Sequence, residues 1–354
     1  METRVDHGDV VTREKRPTPP DPSNESNAAD PPTRANPSSL TAWERISFTI
    51  THALASGLLA CLSLRGFHRF GQLFGTIEWL LNYKRRRRFI KALRSVLGCD
   101  PTAAQRWRWG REFFITQRCD RLFYLIFDRI SREQALKLFT IGNQALLDDA
   151  LTRGRGVYIA LSHHGAHHVA GMLMALRGYK VAGVRDRREG RMRRYIQDRF
   201  DRRYPEFRRV RMLFADSFPR DIYRCFQDGF VLGSAMDIGR VRDPRQKTQT
   251  VTIFGARRPF VTGPLRIALR CRAPVLQGFI IPGSGFRYRL ELIDLVSDSG
   301  GAGSDSGNAG SDSGGAGLDS GNAGEEAIVA TTLATYAATV ERQVRALPSL
   351  ISRI

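Results

Sequence analysis

Four of the seven histidines fall within six residues, in the segment His163-His164-Gly165-Ala166-His167-His168. An imidazole changes its charge near neutral pH, so it can take a proton from a hydroxyl group or serve as a metal ligand. The segment directly follows a short β-rich run at residues 156–161 and precedes an apolar helical pattern. Because the carboxyl ends of strands commonly border clefts in α/β proteins, the sequence predicts a functional site at this cluster.

Short β-rich runs alternate with helical patterns through the middle of the chain. After residues 156–161 they lie at residues 180–184, 229–233, 250–254, 274–281 and 288–295. Residues 103–149, which precede them, repeat apolar positions every three or four residues and predict helix. Strands that alternate with helices indicate an α/β fold, here a mixed sheet flanked by helices.

The chain is globular in composition but strongly basic. Its 354 residues include 55 Lys and Arg against 35 Asp and Glu, which gives a formal net charge of +20. Such a surplus attracts polyanions and anionic surfaces. Residues 185–211 hold 12 arginines and 5 acidic residues, but they match no nucleic-acid-binding signature. The sequence therefore favours anionic lipids, an acidic carrier or phosphorylated substrates as partners, and no nucleic acid.

Composition divides the chain into five segments. Residues 1–40, rich in Pro, Asp, Asn, Ser and Thr, predict a disordered tail. A hydrophobic helical segment follows at residues 41–90, and the catalytic domain is expected at residues 91–296. Residues 297–324 are four copies of a seven-residue Gly/Ser/Asp unit, which predicts a flexible linker. Residues 325–354 predict a closing helix that packs on the domain.

The hydrophobic segment ends in a run of five basic residues. Residues 46–64 contain 19 positions without a formal charge, just long enough for a helix that crosses a bilayer. Residues 67–83 are also apolar, although charged side chains interrupt them, and residues 84–88 read KRRRR. An apolar segment beside basic residues suits an anionic cytoplasmic leaflet. Two interpretations remain, a membrane-anchoring helix or an amphipathic helix pair that lies on the membrane surface.

Around the histidine cluster the chain resembles the late lipid A acyltransferases, a branch of the lysophospholipid acyltransferase superfamily. These enzymes carry a histidine followed five residues later by an acidic residue, in a setting such as H-x-G-x-W-E. His163 and Gly165 match the histidine and the glycine. Other blocks are similar in order and spacing: 154–157 (GRGV), 178–181 (GYKV) followed by Arg185, 226–232 (FQDGFVL) followed by Met236-Asp237, 252–255 (TIFG), 263–264 (GP) and 273–275 (APV).

The resemblance, which covers about residues 45–296, implies a glycerol-phosphate-acyltransferase-like fold and an acyl-transfer reaction. A fatty acyl chain would move from acyl carrier protein or acyl-CoA to a hydroxyl of a membrane glycolipid or lipid A-like acceptor. His163 would be the general base on that hydroxyl. Substrate-side positions would be Gly165, Arg185, Asp237 and Arg240. The implied location is an anionic membrane surface, the cytoplasmic face of the bacterial inner membrane.

The chain departs from the resemblance at the acidic position, which is His168. In the family the carboxylate fixes the tautomer of the catalytic histidine and stabilises the imidazolium. A neutral imidazole can orient His163 but supplies no negative charge, and replacing the corresponding carboxylate of serine proteases with its amide costs about 10⁴-fold in rate. Three outcomes remain open: His168 supports a slower enzyme, another carboxylate takes its place with Asp237 as the candidate, or the chain is a catalytically impaired lipid- or carrier-binding relative.

The histidine cluster also imitates the histidine boxes of membrane di-iron enzymes. His163, His167 and His168 have the spacing of ligands on one helix face, and imidazole binds iron and zinc. Those enzymes require several such boxes, whereas the three other histidines are scattered along the chain. A histidine-box metal enzyme is therefore the less favoured alternative, and the sequence predicts no cofactor and no metal site.

Overall fold

Short apolar runs form the strands around which the rest of the chain packs. The computed structural model describes residues 41–185, 191–214, 219–237, 246–296 and 317–351, within a compact unit that begins at Thr41. Its strands are β1 (Phe139–Gly142), β2 (Val157–Leu161), β3 (Val181–Arg185), β4 (Arg211–Phe214), β5 (Val231–Ala235), β6 (Thr248–Ile253), β7 (Ala256–Val261), β8 (Val275–Pro282) and β9 (Tyr288–Asp294).

In the described part of the chain, seven of these strands form one sheet in the order β1-β9-β8-β2-β5-β3-β4. Neighbouring strands run parallel, except that β8 and β9 form an antiparallel hairpin. Strands β6 and β7 pair with each other as a separate antiparallel hairpin. The predicted α/β fold with a mixed sheet is thus confirmed, and the sheet is mostly parallel.

Helices flank this sheet. They are α1 (Ala42–Cys61), α2 (Leu64–Leu81), α3 (Tyr83–Leu97), α4 (Ala103–Ile126), α5 (Arg132–Lys137), α6 (Gln144–Thr152), α7 (His167–Leu176), α8 (Arg191–Arg203), α9 (Pro219–Gln227), α10 (Gly263–Arg270) and α11 (Gly317–Ala346).

Strand β2 separates two hydrophobic cores. Successive side chains of a strand point to opposite faces, and a central parallel strand is therefore apolar at every position. Val157 and Ile159 belong to the core built with α4, α7 and α8. Tyr158 and Ala160 belong to the core built with α3, α10 and α11. The all-apolar pattern of β2 thus follows from its burial on both faces.

The structure differs from the sequence-based expectations at several short elements. Strand β1 interrupts residues 103–149, which the sequence predicts as helical throughout, and β4 and β7 were not predicted. Strands β1 and β4 are the two edges of the sheet and contain four residues each, too few to show a period of two. Helix α11 begins at Gly317, the last residue of the third copy of the repeat, and therefore includes the whole fourth copy, which the sequence analysis assigned to the flexible linker. The expected tail, residues 1–40, and the repeat residues 297–316 lie outside the described residues.

The N-terminal hydrophobic segment forms two helices. Helix α1 covers residues 46–61 of the apolar stretch at residues 46–64 and ends at Cys61, and α2 begins at Leu64. Across the described ranges, no helix has both the length and the apolar composition needed to traverse a bilayer. Within α1, His52 is buried and its Nε2 lies 2.8 Å from Oδ1 of Asp128. Arg199 of α8 donates to the other oxygen of Asp128 at 2.9 Å.

Helix α2 packs against α4 through glycines. A Cβ atom on Gly75 would lie 2.6 Å from the Cα of Ile115, and one on Gly71 would lie 3.0 Å from the Sγ of Cys119. The two helices therefore approach each other closely along this face. The opposite face of α2 carries large apolar side chains that remain exposed: Phe70, Leu73, Phe74, Ile77, Leu80 and Leu81.

The close approach of α2 and α4 predicts the effect of a small substitution. Gly75→Ala should lower the free energy of unfolding by about 1–3 kcal/mol, because the added methyl group meets backbone atoms that shift only with the helix. Urea unfolding followed by circular dichroism measures this change. Gly57→Ala in α1 is the matched control, since nothing lies within 4 Å of its Cβ position. The control should be neutral or stabilise by up to about 1 kcal/mol; equal effects at both positions would contradict the close-packing explanation.

Candidate functional site

The register of two parallel strands brings His163 and Asp237 together. Strand β2 pairs with β5 so that Leu161 lies opposite Ala235. The backbone N–H of Met236 donates to the carbonyl of Leu161 at 3.2 Å, which extends this alignment past the strand ends. Two residues beyond the last aligned pair, the chain reaches His163 on one side and Asp237 on the other. The histidine cluster thus lies at the carboxyl edge of the sheet, as predicted.

The imidazole of His163 is held by Asp237 through one ring nitrogen. Its Nδ1 lies 3.0 Å from Oδ1 of Asp237 and 3.1 Å from the backbone carbonyl of the same residue. Both neighbours are hydrogen-bond acceptors, so Nδ1 carries the proton and Nε2 carries the lone pair. The side chain of His163 is 16% exposed, and none of the described residues hydrogen-bonds to Nε2. This tautomer is the one that can accept a proton from a substrate hydroxyl.

The carboxylate of Asp237 collects several further donors. The backbone N–H of His163 donates to both of its oxygens at 2.9 and 3.0 Å, and the hydroxyl of Ser162 donates to Oδ2 at 2.7 Å. Burial alone would raise the pKa of Asp237, but the hydrogen bonds from His163 and Ser162 and the nearby His164 hold that pKa below its ordinary value. Asp237 is therefore ionised at neutral pH.

His164 lies on the other side of the carboxylate and is buried. Its Nε2 is 3.8 Å from Oδ2 of Asp237, and its backbone N–H donates to Oγ of Ser162 at 3.1 Å. Burial lowers the pKa of His164, although Asp237 opposes this shift. Its ring also packs edge-on against Phe254 at 6.2 Å between centroids. His164 therefore lies next to the carboxylate oxygen of Asp237 that is not paired with Nδ1 of His163.

The C-terminal part of the chain completes the walls of the site. The hydroxyl of Tyr336 in α11 donates to the carbonyl of Leu161 at 2.8 Å. The backbone N–H of Gly165 donates to the carbonyl of Leu350 at 3.1 Å. Gly165 has a φ of +77°, and a Cβ atom there would lie 2.3 Å from the carbonyl oxygen of Ile280. The glycine is therefore required by the backbone of the histidine loop.

The sequence-predicted site residues have different places in the structure. The carboxyl ends of β2 and β5 bring together His163, Gly165 and Asp237. His168 lies in the first turn of α7, where its ring packs against Tyr124 at 5.8 Å and His167 at 5.7 Å between centroids. Both partners of the Nδ1 atom of His163 belong to Asp237, whereas the orienting role of His168 stays a prediction.

Of the two predicted arginines, Arg185 lies in the described part of the chain. Arg185 is the last residue of β3, at the same edge of the sheet as His163 and Asp237. Arg240 lies outside the described residues, so its substrate-side role stays a prediction as well.

Ser162 and Tyr336 escaped the sequence-based reasoning, and His164 was predicted only as a member of the histidine cluster. Ser162 and His164 flank His163, and their positions in the cluster were the available signal. Tyr336 is 175 residues away from the carbonyl that it contacts, and nothing in the sequence indicates that contact. The distinction between His168 and Asp237 as partner of His163 also required the strand register.

The described residues contain no group of three or more His, Cys, Asp or Glu side chains arranged to hold a metal ion. The rings of His163 and His167 lie 5.1 Å apart between centroids in an edge-to-face contact.

Comparison of the sequence with protein-family models finds no match, and comparison with curated protein sequences finds none either.

The lowered pKa of Asp237 predicts a pH-dependent stability. In the folded protein this pKa lies below its ordinary value of 3.8, so the ionised carboxylate stabilises the fold above about pH 4. That contribution is lost as the pH falls through the folded pKa. The difference in Tm between wild type and Asp237→Asn should therefore be largest near neutral pH and shrink below about pH 4. Thermal unfolding from pH 7 to pH 3 measures it, and a constant difference would contradict the proposed ionisation.

Proposed function

We propose that the protein is an acyltransferase in which His163 is the general base. The observation that carries this proposal is the pairing of Nδ1 of His163 with the ionised carboxylate of Asp237, with Nε2 left for a substrate. This is the arrangement that acyl transfer to a hydroxyl requires of a histidine. The resemblance of residues 45–296 to the late lipid A acyltransferases supports the same reaction class, together with the mostly parallel α/β sheet.

In the proposed reaction, Nε2 of His163 takes the proton of an acceptor hydroxyl as its oxygen attacks the carbonyl carbon of an acyl thioester. The tetrahedral intermediate then collapses, the carbon–sulfur bond breaks, and the thiolate leaves. The imidazolium returns its proton to the thiolate. The products are an ester and a free thiol, and His163 regains its starting tautomer. Asp237 stabilises the imidazolium between the two proton transfers.

Asp237 takes the place that the family's acidic residue holds next to the histidine. A carboxylate in hydrogen-bond contact with Nδ1 both fixes the tautomer and supplies the negative charge that a neutral imidazole lacks. The departure at His168 therefore does not require a slow or inactive enzyme. His168 of α7, whose ring packs against Tyr124 of α4, is proposed to shape the wall of the site.

The donor is proposed to be acyl carrier protein or acyl-CoA, and the acceptor a membrane glycolipid or lipid A-like molecule. Both donors are anionic thioesters, and a net charge of +20 favours them. Arg185 is proposed as a substrate-side residue, because it ends β3 and β3 pairs with β5, the strand that leads to Asp237. Arg240 keeps the same proposed role.

We further propose that α1 and α2 lie on an anionic membrane surface, on the cytoplasmic face of the bacterial inner membrane. The exposed side chains of Leu73, Ile77 and Leu80 recur at three or four residues on one face of α2, with exposed fractions of 60%, 42% and 51%. Exposed basic residues, Lys84, Arg87 and Arg88, follow directly in α3. An apolar helix face beside basic residues binds at the lipid interface by combining apolar burial with electrostatic attraction.

The proposed reaction predicts a graded loss of activity. His163→Ala should abolish transfer from acyl-CoA or acyl carrier protein to a lipid acceptor, because the proton acceptor is removed. Asp237→Asn should lower kcat by about 10³- to 10⁴-fold, since the amide does not hold the required tautomer or charge. His168→Gln should change kcat by less than about 10-fold, because Asp237 remains in place. Mass spectrometry of the acylated product measures all three.

The three variants also separate the alternatives. Transfer that survives His163→Ala would overturn the base assignment, and full activity in Asp237→Asn would overturn its role beside His163. A catalytically impaired relative predicts no transfer from the wild type. A histidine-box enzyme predicts bound iron or zinc by elemental analysis and loss of activity with a chelator.

Membrane attachment can be tested on the exposed face of α2. The double variant Leu73→Asp/Ile77→Asp should bind vesicles of phosphatidylglycerol and phosphatidylcholine at least about 10-fold more weakly, because burial of each aliphatic side chain contributes about 1.5–3 kcal/mol. Co-sedimentation measures the binding. Ile328→Asp in α11 is the control, since that side chain is 50% exposed on another helix. Equal binding by the double variant and the wild type would contradict a role for this face.

A further inference from the structure

A cavity lined by arginines lies away from the His163–Asp237 pair. Its volume is about 460 Å³, and its lining consists of Arg132, Arg203, Tyr204, Pro205, Glu206 and Arg209. Ligand-binding pockets typically enclose about 300–1,000 Å³, so the cavity has room for a small organic molecule.

The sheet topology places this cavity at the amino ends of the strands, whereas His163 lies at their carboxyl ends. Helix α7 begins at His167 beside the site and ends at Leu176, whose carbonyl accepts a hydrogen bond from Arg132 at 3.0 Å. A helix of ten residues is about 15 Å long. Arg203 ends α8, and Glu206 and Arg209 belong to the 3₁₀ turn that leads into the amino end of β4. A molecule in the cavity is therefore separate from the reacting groups.

The charges of the cavity are not balanced. Arg132 is paired with Glu206, whose Oε1 accepts from its Nε at 2.7 Å. Among the described residues, neither Arg203 nor Arg209 forms an ion pair with a carboxylate, although Arg203 hydrogen-bonds to the side chain of Tyr204. Burial alone would raise the pKa of Glu206, but its own backbone N–H, the hydrogen bond and charge of Arg132 and the charge of Arg209 hold that pKa below its ordinary value. Two positive charges thus remain on the lining.

The carboxylate of Glu206 offers a second recognition point. Its Oε2 is buried and has no hydrogen-bond partner among the described residues. A buried carboxylate oxygen without a donor is unfavourable, and a ligand hydroxyl would satisfy it. Tyr204 forms a fixed wall beside it, because its hydroxyl shares its single hydrogen between the carbonyls of Phe127, at 2.7 Å, and Ile130.

We propose that this cavity binds a phosphomonoester that also carries a hydroxyl group, such as a phosphorylated polyol or sugar. Guanidinium groups bind phosphate oxygens through paired, charge-assisted hydrogen bonds, which suits Arg203 and Arg209. Glu206 accepts from the hydroxyl. The phosphate belongs to a soluble metabolite or to a lipid headgroup, and the two sources are separated by experiment.

Isothermal titration with glycerol 3-phosphate tests the site on the full chain. The wild type should bind it saturably, and Arg203→Ala/Arg209→Ala should bind at least about 10-fold more weakly. Arg202→Ala/Arg208→Ala is the matched control, because it removes the same charge from the same segment outside the cavity lining. The control should bind like the wild type. Equal losses in the two double variants would show non-specific attraction to a basic surface and overturn the proposal, as would the absence of saturable binding by the wild type.

Two further arms complete the test. Inorganic phosphate should bind the wild type more weakly than glycerol 3-phosphate, and Glu206→Gln should reduce that difference; an unchanged difference would overturn the role of Glu206. Vesicles that contain phosphatidic acid identify the source. A lipid headgroup predicts that the cavity variant, but not its control, loses vesicle binding. A soluble ligand predicts equal vesicle binding by both and a loss confined to glycerol 3-phosphate.

Discussion

The ionised carboxylate of Asp237 constrains the candidate site more than any other group. Burial opposes its charge, so hydrogen-bond donors must converge on it from several directions. Ser162 and His163 supply them from consecutive positions at the end of β2. These hydrogen bonds form only if β5 pairs with β2 in the observed register. A slip of one residue would place the thioether of Met236 opposite His163, and the donors would have no acceptor.

The C-terminal helix α11 fixes the strand end on which this geometry depends. Tyr336 holds the carbonyl of Leu161, the last residue of β2, from the face of the sheet that carries the second hydrophobic core. Arg266 of α10 forms a bidentate ion pair with Glu326 at 2.6 and 2.7 Å, which connects α11 to α10. A residue of α11 thus stabilises the end of β2, which lies 175 residues earlier in the chain.

Long buried runs made much of the fold predictable from sequence. The runs that became β2, β3, β5, β8 and β9 all lie between the two edge strands, and their apolar residues gave a recognisable strand pattern. The edge strands β1 and β4 are too short for a pattern, and they form because parallel neighbours are available. In the site, the local motif pointed from His163 to His168, five residues away. The contact with Asp237 spans 74 residues and follows from strand pairing, which a local motif does not encode.

The basic residues of the chain have two physically different uses. Some form ion pairs within the fold, as Arg85 and Arg118 do with Glu78 of α2, at 2.6 Å for Arg85. Burial alone would raise the pKa of Glu78, but these two contacts lower it. Such pairs join α2, α3 and α4, and their charges are neutralised by a partner. Others, such as Arg203 and Arg209, form no ion pair with a carboxylate among the described residues, and the nearby Glu206 is paired with Arg132. A uniform net charge would give only diffuse attraction to anions. Guanidinium groups that lack an ion-pair partner and line one cavity direct part of that attraction to a single site.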